Sequence, residues 1–205
     1  MELHGTMRSE LWKGIERELD DIQRNIFYDG KVRSWICCKT QVFMPYFDED
    51  VFYVFSHILH HYFRGGIGLR QVCDWCRLLW AYRDSVNLFL LESRLKKAGM
   101  MTEWKTFAAL AVNALGMPYE AMPFYENSYK WQRKAERVLT FIMETGNFGH
   151  NRDLSFRQEQ SAIKRKVQIF LYITGDSVRH FRNFPLDSIK VWWCMMKKGL
   201  NSLVR

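Results

Sequence analysis

The stretch His57–Cys76, HILHHYFRGGIGLRQVCDWC, places three glycines between two segments that are rich in apolar residues. On either side of the glycines, the apolar residues recur every three or four positions, which is the period of an amphipathic helix. Glycine is a poor helix former and adopts backbone angles that other residues avoid, so the cluster marks a break between two helices. We therefore predict a corner at which two helices meet.

The same period dominates the rest of the chain. A first helix is predicted from four apolar residues at helical spacing, namely Leu11, Ile15, Leu19 and Ile22. Later helices are predicted near 86–98, 103–115, 130–144, 156–173 and 186–203. Glycines at the expected helix ends are Gly99, Gly116, Gly146 and Gly175. The segment 34–43 is the best strand candidate, so the fold class is mainly α: a multi-helix domain with a short strand or hairpin near the N-terminus.

Length and composition describe an ordinary globular chain. Its 205 residues are 48% apolar and 25% charged, which suits one domain, 1–205, with a sizeable core. No apolar run reaches the ~20 residues that span a membrane, and the N-terminus lacks the apolar segment of a signal peptide. We therefore expect a cytoplasmic protein. The five cysteines are an odd number, which favours reduced thiols.

The positive charge is concentrated at the C-terminal end. The net charge is +8, and residues 152–205 hold eleven Lys and Arg against four Asp and Glu. Such a surface suits an anionic partner, namely a phosphate group, a nucleic acid or a membrane surface, although a solvated basic face without a ligand is the alternative. We divide the chain into segment 1–47, a helical core over 48–150, and basic C-terminal helices over 151–205.

The glycine-rich turn is a candidate anion site. A turn of this kind at the start of a helix offers backbone N–H groups and the positive end of the helix dipole to a phosphate. A carboxylate and two arginines then share one face of the second helix, where the carboxylate can orient the guanidinium groups. The alternative is a tight corner with a structural ion pair. The predicted phosphate or substrate contacts are Gly65, Gly66, Gly68, Arg70, Asp74 and Arg77.

Two histidines precede the turn on one helix face. His57 and His61 have the i, i+4 spacing of a zinc-binding helix, but no glutamate lies between them and no third ligand is evident. We expect them to line the same cleft as the arginines, and we expect no metal site.

The cysteines form two close pairs. Cys73 and Cys76 make a C-x-x-C motif on an apolar helix stripe, so buried structural thiols are favoured over a redox pair, which needs exposure at a helix N-terminus. Cys37 and Cys38 are adjacent and lack the two-residue spacer that is usual in a zinc site. We expect all of these cysteines to be reduced.

Three stretches resemble parts of the uncharacterised bacterial nucleotidyltransferase family. FSHILHHYFRGGIGLRQVCDW, Phe55–Trp75, resembles its histidine-rich helix, Gly-Ile-Gly-Leu-Arg turn and Cys/Asp-Trp element. GNFGH, Gly146–His150, is similar to its Gly-Asn-Phe-Gly turn, and MELH, Met1–His4, is similar to a short strand that precedes its helical portion. The resemblance covers most of the chain.

The resemblance implies the helical part of a nucleotidyltransferase-like α+β fold. A complete member holds two Mg²⁺ ions on an Asp-x-Asp pair and a third acid, and it uses a nucleoside triphosphate. Glu2 matches the third-acid position, and 1–47 is then a remnant of the αβ core or a connection to it. Asp48 and Asp50 have the Asp-x-Asp spacing, but they follow Pro45 at a helix start, where we expect a capping role. The resemblance therefore implies a truncated chain that is inactive by itself.

Two functions remain open at this point, whereas a third, a metal-dependent hydrolase that uses the histidines, is disfavoured because too few ligands are visible. In the first, the helical portion shapes a pocket for a nucleotide or a phosphorylated acceptor. In the second, a non-catalytic basic helical module binds nucleic acid or a partner protein. Lys164, Arg165 and Lys166 fan over a helix surface as a basic flank, but we expect Phe170 and Tyr172 to pack in the core, which disfavours base stacking.

Overall fold

The computed structural model describes residues 7–9, 11–146, 151 and 162–201. Over these residues the chain is mainly helical with a two-stranded antiparallel hairpin near the N-terminus, which confirms the predicted helical class. The elements in chain order are α1 Lys13–Phe27, β1 Val32–Cys37, β2 Thr40–Pro45, α2 Phe47–Arg64, α3 Leu69–Tyr82, α4 Leu88–Ala98, α5 Met101–Leu115, α6 Tyr129–Thr145, α7 Ala162–Phe181 and α8 Pro185–Asn201. A 3-10 turn, Tyr119–Ala121, lies between α5 and α6.

Helix α1 packs closely against the end of α4. Its predicted apolar stripe is buried as expected, with Ile15, Leu19 and Ile22 fully inaccessible to solvent. The indole N–H of Trp12 donates to the carbonyl of Ala98 at 2.7 Å. The two backbones approach so closely at Gly14 that an added Cβ would lie 2.6 Å from the Ala98 carbonyl oxygen. Only glycine fits this crossing.

Aromatic rings fill the centre of the helical core. Phe55 of α2 lies 5.1 Å from the ring of Trp75 in α3 and 4.8 Å from Trp104 in α5. The two indoles meet edge to face at 4.9 Å, and both are fully buried. Edge-to-face contacts of this kind add roughly 0.5–1.5 kcal/mol to the burial of each pair. They fix α2, α3 and α5 as one packed unit.

A buried ionic network joins the first, second and fourth helices. The guanidinium of Arg94 in α4 lies 3.3 Å from a carboxylate oxygen of Glu18 in α1 and 3.5 Å from one of Glu49 in α2. Asn25 also donates to Glu49, at 2.7 Å. Loss of one partner from such a network leaves an uncompensated buried charge, so each of these side chains depends on the others for its place in the core.

Three of the four predicted helix stops are confirmed. Gly99, Gly116 and Gly146 follow α4, α5 and α6, each with a positive φ. The predicted stop at Gly175 is wrong, because α7 continues through it to Phe181. A glycine costs a helix interior only roughly 0.5–1 kcal/mol, and the helix beyond it carries the buried ring of His180 into the core.

The strand candidate over 34–43 is a hairpin. Strands β1 and β2 pair in an antiparallel register that places Trp35 opposite Val42 and Cys37 opposite Thr40. Large apolar side chains on the hairpin face solvent, with Ile36 72% exposed. Over the described residues, none of the helices combines the length and apolar character needed to cross a lipid bilayer.

Candidate functional site

The predicted break between α2 and α3 is a tight corner over residues 65–68. The amides of Gly65 and Gly66 both donate to the carbonyl of His61, at 3.0 and 2.9 Å. Gly66 has φ +100°, which other residues rarely adopt, and Ile67 after it is fully buried. The glycines therefore turn the chain sharply while one apolar side chain enters the core.

The amide groups of this corner are engaged within it. Gly68 precedes the first turn of α3, and its N–H donates to the side-chain oxygen of Gln71 at 2.9 Å. With the two bonds to His61, all three glycine N–H groups have partners inside the corner. An anion at this end of α3 would therefore be held by side chains rather than by the glycine amides.

The predicted Arg70–Asp74 pair lies on the surface. The Nε atom of Arg70 is 4.0 Å from a carboxylate oxygen of Asp74, one helical turn away. The two side chains are 93% and 59% exposed. Exposed pairs contribute little to folding stability, so this pair does not hold the corner together. Its arginine remains accessible to a ligand.

An open groove lies between α3 and the segment that follows α5. Its volume is about 720 Å³, within the range of small-molecule sites. Predicted residues Asp74 and Arg77 both line it, whereas Arg70, His57 and His61 are not among its lining residues. The α3 groove, as we name it, is lined by Cys73, Asp74, Cys76, Arg77, Leu78, Trp80, Ala81, Leu115, Gly116, Met117 and Pro118.

An exposed aromatic ring forms one wall of the α3 groove. Trp80 is 46% exposed, and the guanidinium of Arg83 lies 4.6 Å from the centre of its ring. Arg83 also donates to the carbonyl of Trp80 at 2.8 Å, which holds the cation in place. The groove therefore combines a flat aromatic ring, a carboxylate, a guanidinium group and apolar walls.

The cysteines of α3 differ from the prediction. Cys76 is buried as expected, but Cys73 is exposed. The buried stripe of α3 runs through Val72 and Trp75, so the helix is rotated relative to the stripe that was predicted from Cys73. The indole of Trp75 gains more from burial than a small thiol does. Burial raises the pKa of Cys76 to about 12, so its thiol is not a ready nucleophile.

The histidines of α2 interact with one another. The Nε2 atoms of His57 and His61 are 3.0 Å apart, so one ring nitrogen donates and the other accepts. His60 contacts the carbonyl of Ser9 through Nδ1. Within the described ranges, no three His, Cys, Asp or Glu side chains are grouped to hold a metal ion. His60 therefore connects α2 to the N-terminal segment, whereas His57 and His61 contact each other on α2.

The acidic residues at the start of α2 are not caps, which corrects the expectation for Asp48 and Asp50. The residue before the helix is Tyr46, and no side chain caps it. The carboxylate of Asp48 accepts from the amide of Asn87, and that of Asp50 accepts from Arg33 at 2.8 Å. Both carboxylates instead connect α2 to other elements.

Glu2, the Met1–His4 stretch and residues 147–150 lie outside the described residues.

A buried acid cluster was missed by the sequence analysis. Glu103 in α5 is fully buried beside Asp187 of α8, near Lys134 of α6. Burial, and then Asp187, raise the pKa of Glu103 well above its ordinary value. The only signal in the sequence is a glutamate at the start of a strongly apolar helix, which equally suits an exposed first turn.

The hairpin is attached to the core by an arginine that was also missed. The guanidinium of Arg33 lies over the rings of both Phe47 and Tyr82, 4.5 and 4.6 Å from their centres, and the two rings contact each other at 4.4 Å. Tyr82 is remote in sequence, so no local pattern links it to Arg33.

No protein-family model, curated protein or solved structure matches this chain.

Proposed function

We propose that this chain is the helical portion of a nucleotidyltransferase, and that its α3 groove holds part of the nucleotide or of the acceptor. The observation that carries the proposal is the position of Asp74 and Arg77. Asp74 belongs to the stretch that resembles the family, and Arg77 lies just beyond the end of that stretch. Both residues line a groove of about 720 Å³ beside the exposed ring of Trp80.

The chemistry of the groove suits a ligand with a flat ring and an anionic group. Arg83 covers part of the exposed indole of Trp80, and the remaining surface of the ring can stack with a base. Arg77 can donate paired hydrogen bonds to a phosphate, and Asp74 can accept from a hydroxyl or amine. Helix α5 ends at Leu115 in the groove wall, where the negative end of its dipole disfavours an anion. We therefore place the phosphate on the α3 side.

The proposal assigns binding and positioning to this chain, and no metal-dependent step. A complete family member needs carboxylates that hold Mg²⁺. Among the described residues, Asp48 and Asp50 are engaged with Asn87 and Arg33. Asp48 and Asp50 therefore do not fit a two-metal site. The carboxylates that would hold the metal ions have to come from outside the residues that the structure describes.

Calorimetric titration with the four ribonucleoside triphosphates tests the proposal. We expect at least one to bind, and Arg77→Ala to weaken it about tenfold, the loss of one hydrogen bond to a charged group. Arg133→Ala is the matched control, because Arg133 is an exposed arginine of α6 outside the groove. Failure of all four to bind, or equal binding by Arg77→Ala and wild type, would contradict the proposal.

The second candidate function, a basic interaction module, is favoured by the first half of α7. Lys164 and every residue over 166–171 are exposed, and Val167 and Leu171 are 52% and 61% exposed. Phe170 is 45% exposed, so the expectation that it packs in the core is wrong. A helix segment that exposes both lysines and large apolar side chains suits a partner surface.

Anisotropy titrations with single-stranded RNA at increasing salt separate the two functions. A nucleic-acid module loses affinity steeply with salt, because phosphate contacts release counterions. Lys166→Glu should then abolish RNA binding, while Arg77→Ala should leave it unchanged. If RNA binding is absent and a nucleotide binds with an affinity that Arg77→Ala weakens, the α3 groove accounts for the function.

A further inference from the structure

Two cysteines are adjacent at the tip of the hairpin. Cys37 ends β1 and is half-buried, and Cys38 begins the turn and is exposed. Their sulfur atoms are 3.9 Å apart. The tip therefore presents two neighbouring thiols, of which at least one is open to solvent.

The turn that carries Cys38 has an unusual backbone conformation. Cys38 and Lys39 have φ angles of +49° and +66°, so a two-residue turn with both residues in the left-handed region joins the strands. This turn favours Asn-Gly, because glycine and asparagine tolerate the left-handed conformation that strains most other residues. Strain in a non-glycine turn at an exposed tip points to a role for the side chains that occupy it.

We propose that Cys37 and Cys38 form a dithiol site for a soft, thiophilic centre, either monovalent copper or trivalent arsenic. With metal–sulfur bonds of about 2.3 Å, one bridging centre reaches two sulfur atoms that lie up to about 4.6 Å apart. The observed separation is 3.9 Å. A disulfide needs about 2.05 Å, so a bridging centre fits the tip with less movement than oxidation does.

The number of ligands restricts the class of the centre. No third His, Cys, Asp or Glu joins the pair in the part of the chain that the structure describes. Zinc in a structural site takes four protein ligands, so it is poorly served here. Thiolate ligands favour soft ions such as Cu(I), which accept low coordination numbers. Trivalent arsenic carries its own third substituent and needs only two thiolates.

The other cysteine pair does not offer the same chemistry. In α3, Cys73 is exposed, but Cys76 is buried and burial raises its pKa to about 12. A centre that needs two thiolates would have to open the packing around Cys76. The α3 pair therefore provides an internal comparison for the hairpin pair.

Phenylarsine oxide is the first probe. Two thiols condense with the arsenic–oxygen group: two As–S bonds form, the oxygen and the two thiol protons leave as one water, and no oxidation state changes. Intact-protein mass spectrometry should show one such adduct on the reduced wild-type chain. Excess 2-mercaptoethanol should leave it in place, whereas a competing dithiol should remove it.

Single-cysteine variants locate the adduct. Cys37→Ser and Cys38→Ser should each weaken it about a hundredfold, since the chelate is lost. Cys38→Gly gives the same chemical loss and suits the left-handed turn, so it serves if Cys38→Ser is unstable. Cys73→Ser and Cys76→Ser should retain the adduct. No adduct on wild type, or loss with Cys73→Ser alone, would overturn the proposal.

A copper(I) transfer assay distinguishes a metal ion from an arsenical as the ligand of the two thiols. Monovalent copper is offered from a coloured copper(I) chelator, and the loss of colour counts the ions transferred. Transfer of about one copper per wild-type chain, and none to Cys38→Ser, would assign the site to a metal ion. Arsenical binding without copper transfer would confine the site to trivalent arsenic.

Discussion

Replacement of Arg33 by alanine should release the hairpin from the helical core. The Arg33 guanidinium donates to Asp50 at 2.8 Å, to the hydroxyl of Tyr82 at 2.6 Å and to the carbonyl of Pro45 at 2.7 Å. It also lies over the Phe47 and Tyr82 rings, which contact each other. One side chain therefore makes ionic, polar and stacking contacts at the junction.

The size of the effect follows from these contacts. A hydrogen bond to a charged group contributes roughly 1.5–3 kcal/mol, and a cation over an aromatic ring roughly 0.5–2 kcal/mol. The side chains of Arg33 and Asp50 are 17% and 21% exposed, so solvent screens part of the ionic contribution. Burial raises the pKa of Asp50 although Arg33 opposes this, so the orphaned carboxyl would tend to take up a proton. We expect a net loss of about 2–4 kcal/mol in hairpin docking.

Hydrogen exchange resolved by segment measures this loss. A change of 2–4 kcal/mol corresponds to roughly 30- to 1,000-fold faster exchange at the β1 and β2 amides that depend on docking. Arg33→Lys keeps the charge but lacks the planar fork, so it should rescue only part of the protection. Equal hairpin exchange in Arg33→Ala and wild type would refute the assigned role of Arg33.

Two further predictions concern helix packing and a buried acid. Gly14→Ala should destabilise the fold by roughly 1–3 kcal/mol, because the added Cβ would meet the Ala98 carbonyl. Gly175→Ala should stabilise it by up to about 1 kcal/mol, because no atom lies within 4 Å of the added Cβ and alanine is the better helix former. Thermal melts of the two variants and the wild type measure both effects. Burial raises the pKa of Glu103 in the folded chain above its ordinary value of 4.5. The folding stability is therefore greatest below that value, where Glu103 is protonated, and it falls as the pH rises through the raised pKa. Glu103→Gln should therefore gain stability over wild type as pH increases in urea titrations, and a pH-independent difference would contradict this.

The helices were predictable because their signals are local. The α1 stripe through Ile15, Leu19 and Ile22 follows from spacing alone, and it is buried. Gly99 and Gly116 end helices because they adopt the left-handed conformation that such ends require. Gly175 shows the limit of the rule, because packing beyond a glycine can outweigh its helix cost.

The candidate site was predictable only in part, because its geometry depends on distant segments. Arg77 and Asp74 were named from the sequence, but the wall supplied by Leu115–Pro118 was not. The periodic pattern placed Cys73 in the core, since it cannot tell which of several apolar faces a large ring such as Trp75 will turn inwards. Contacts of this range become visible only in the folded chain.

Nitrogen-15 spectra of the tryptophan indoles during nucleotide titration test the central proposal most directly. The Trp80 indole signal, assigned with Trp80→Phe, should shift on titration together with the amides of Leu115 and Met117, which line the α3 groove with it. The Trp193 indole, exposed on α8, should stay in place. Shifts confined to Trp193 and its neighbours, or no shift at any nucleotide concentration, would contradict the α3 groove as the nucleotide or acceptor site.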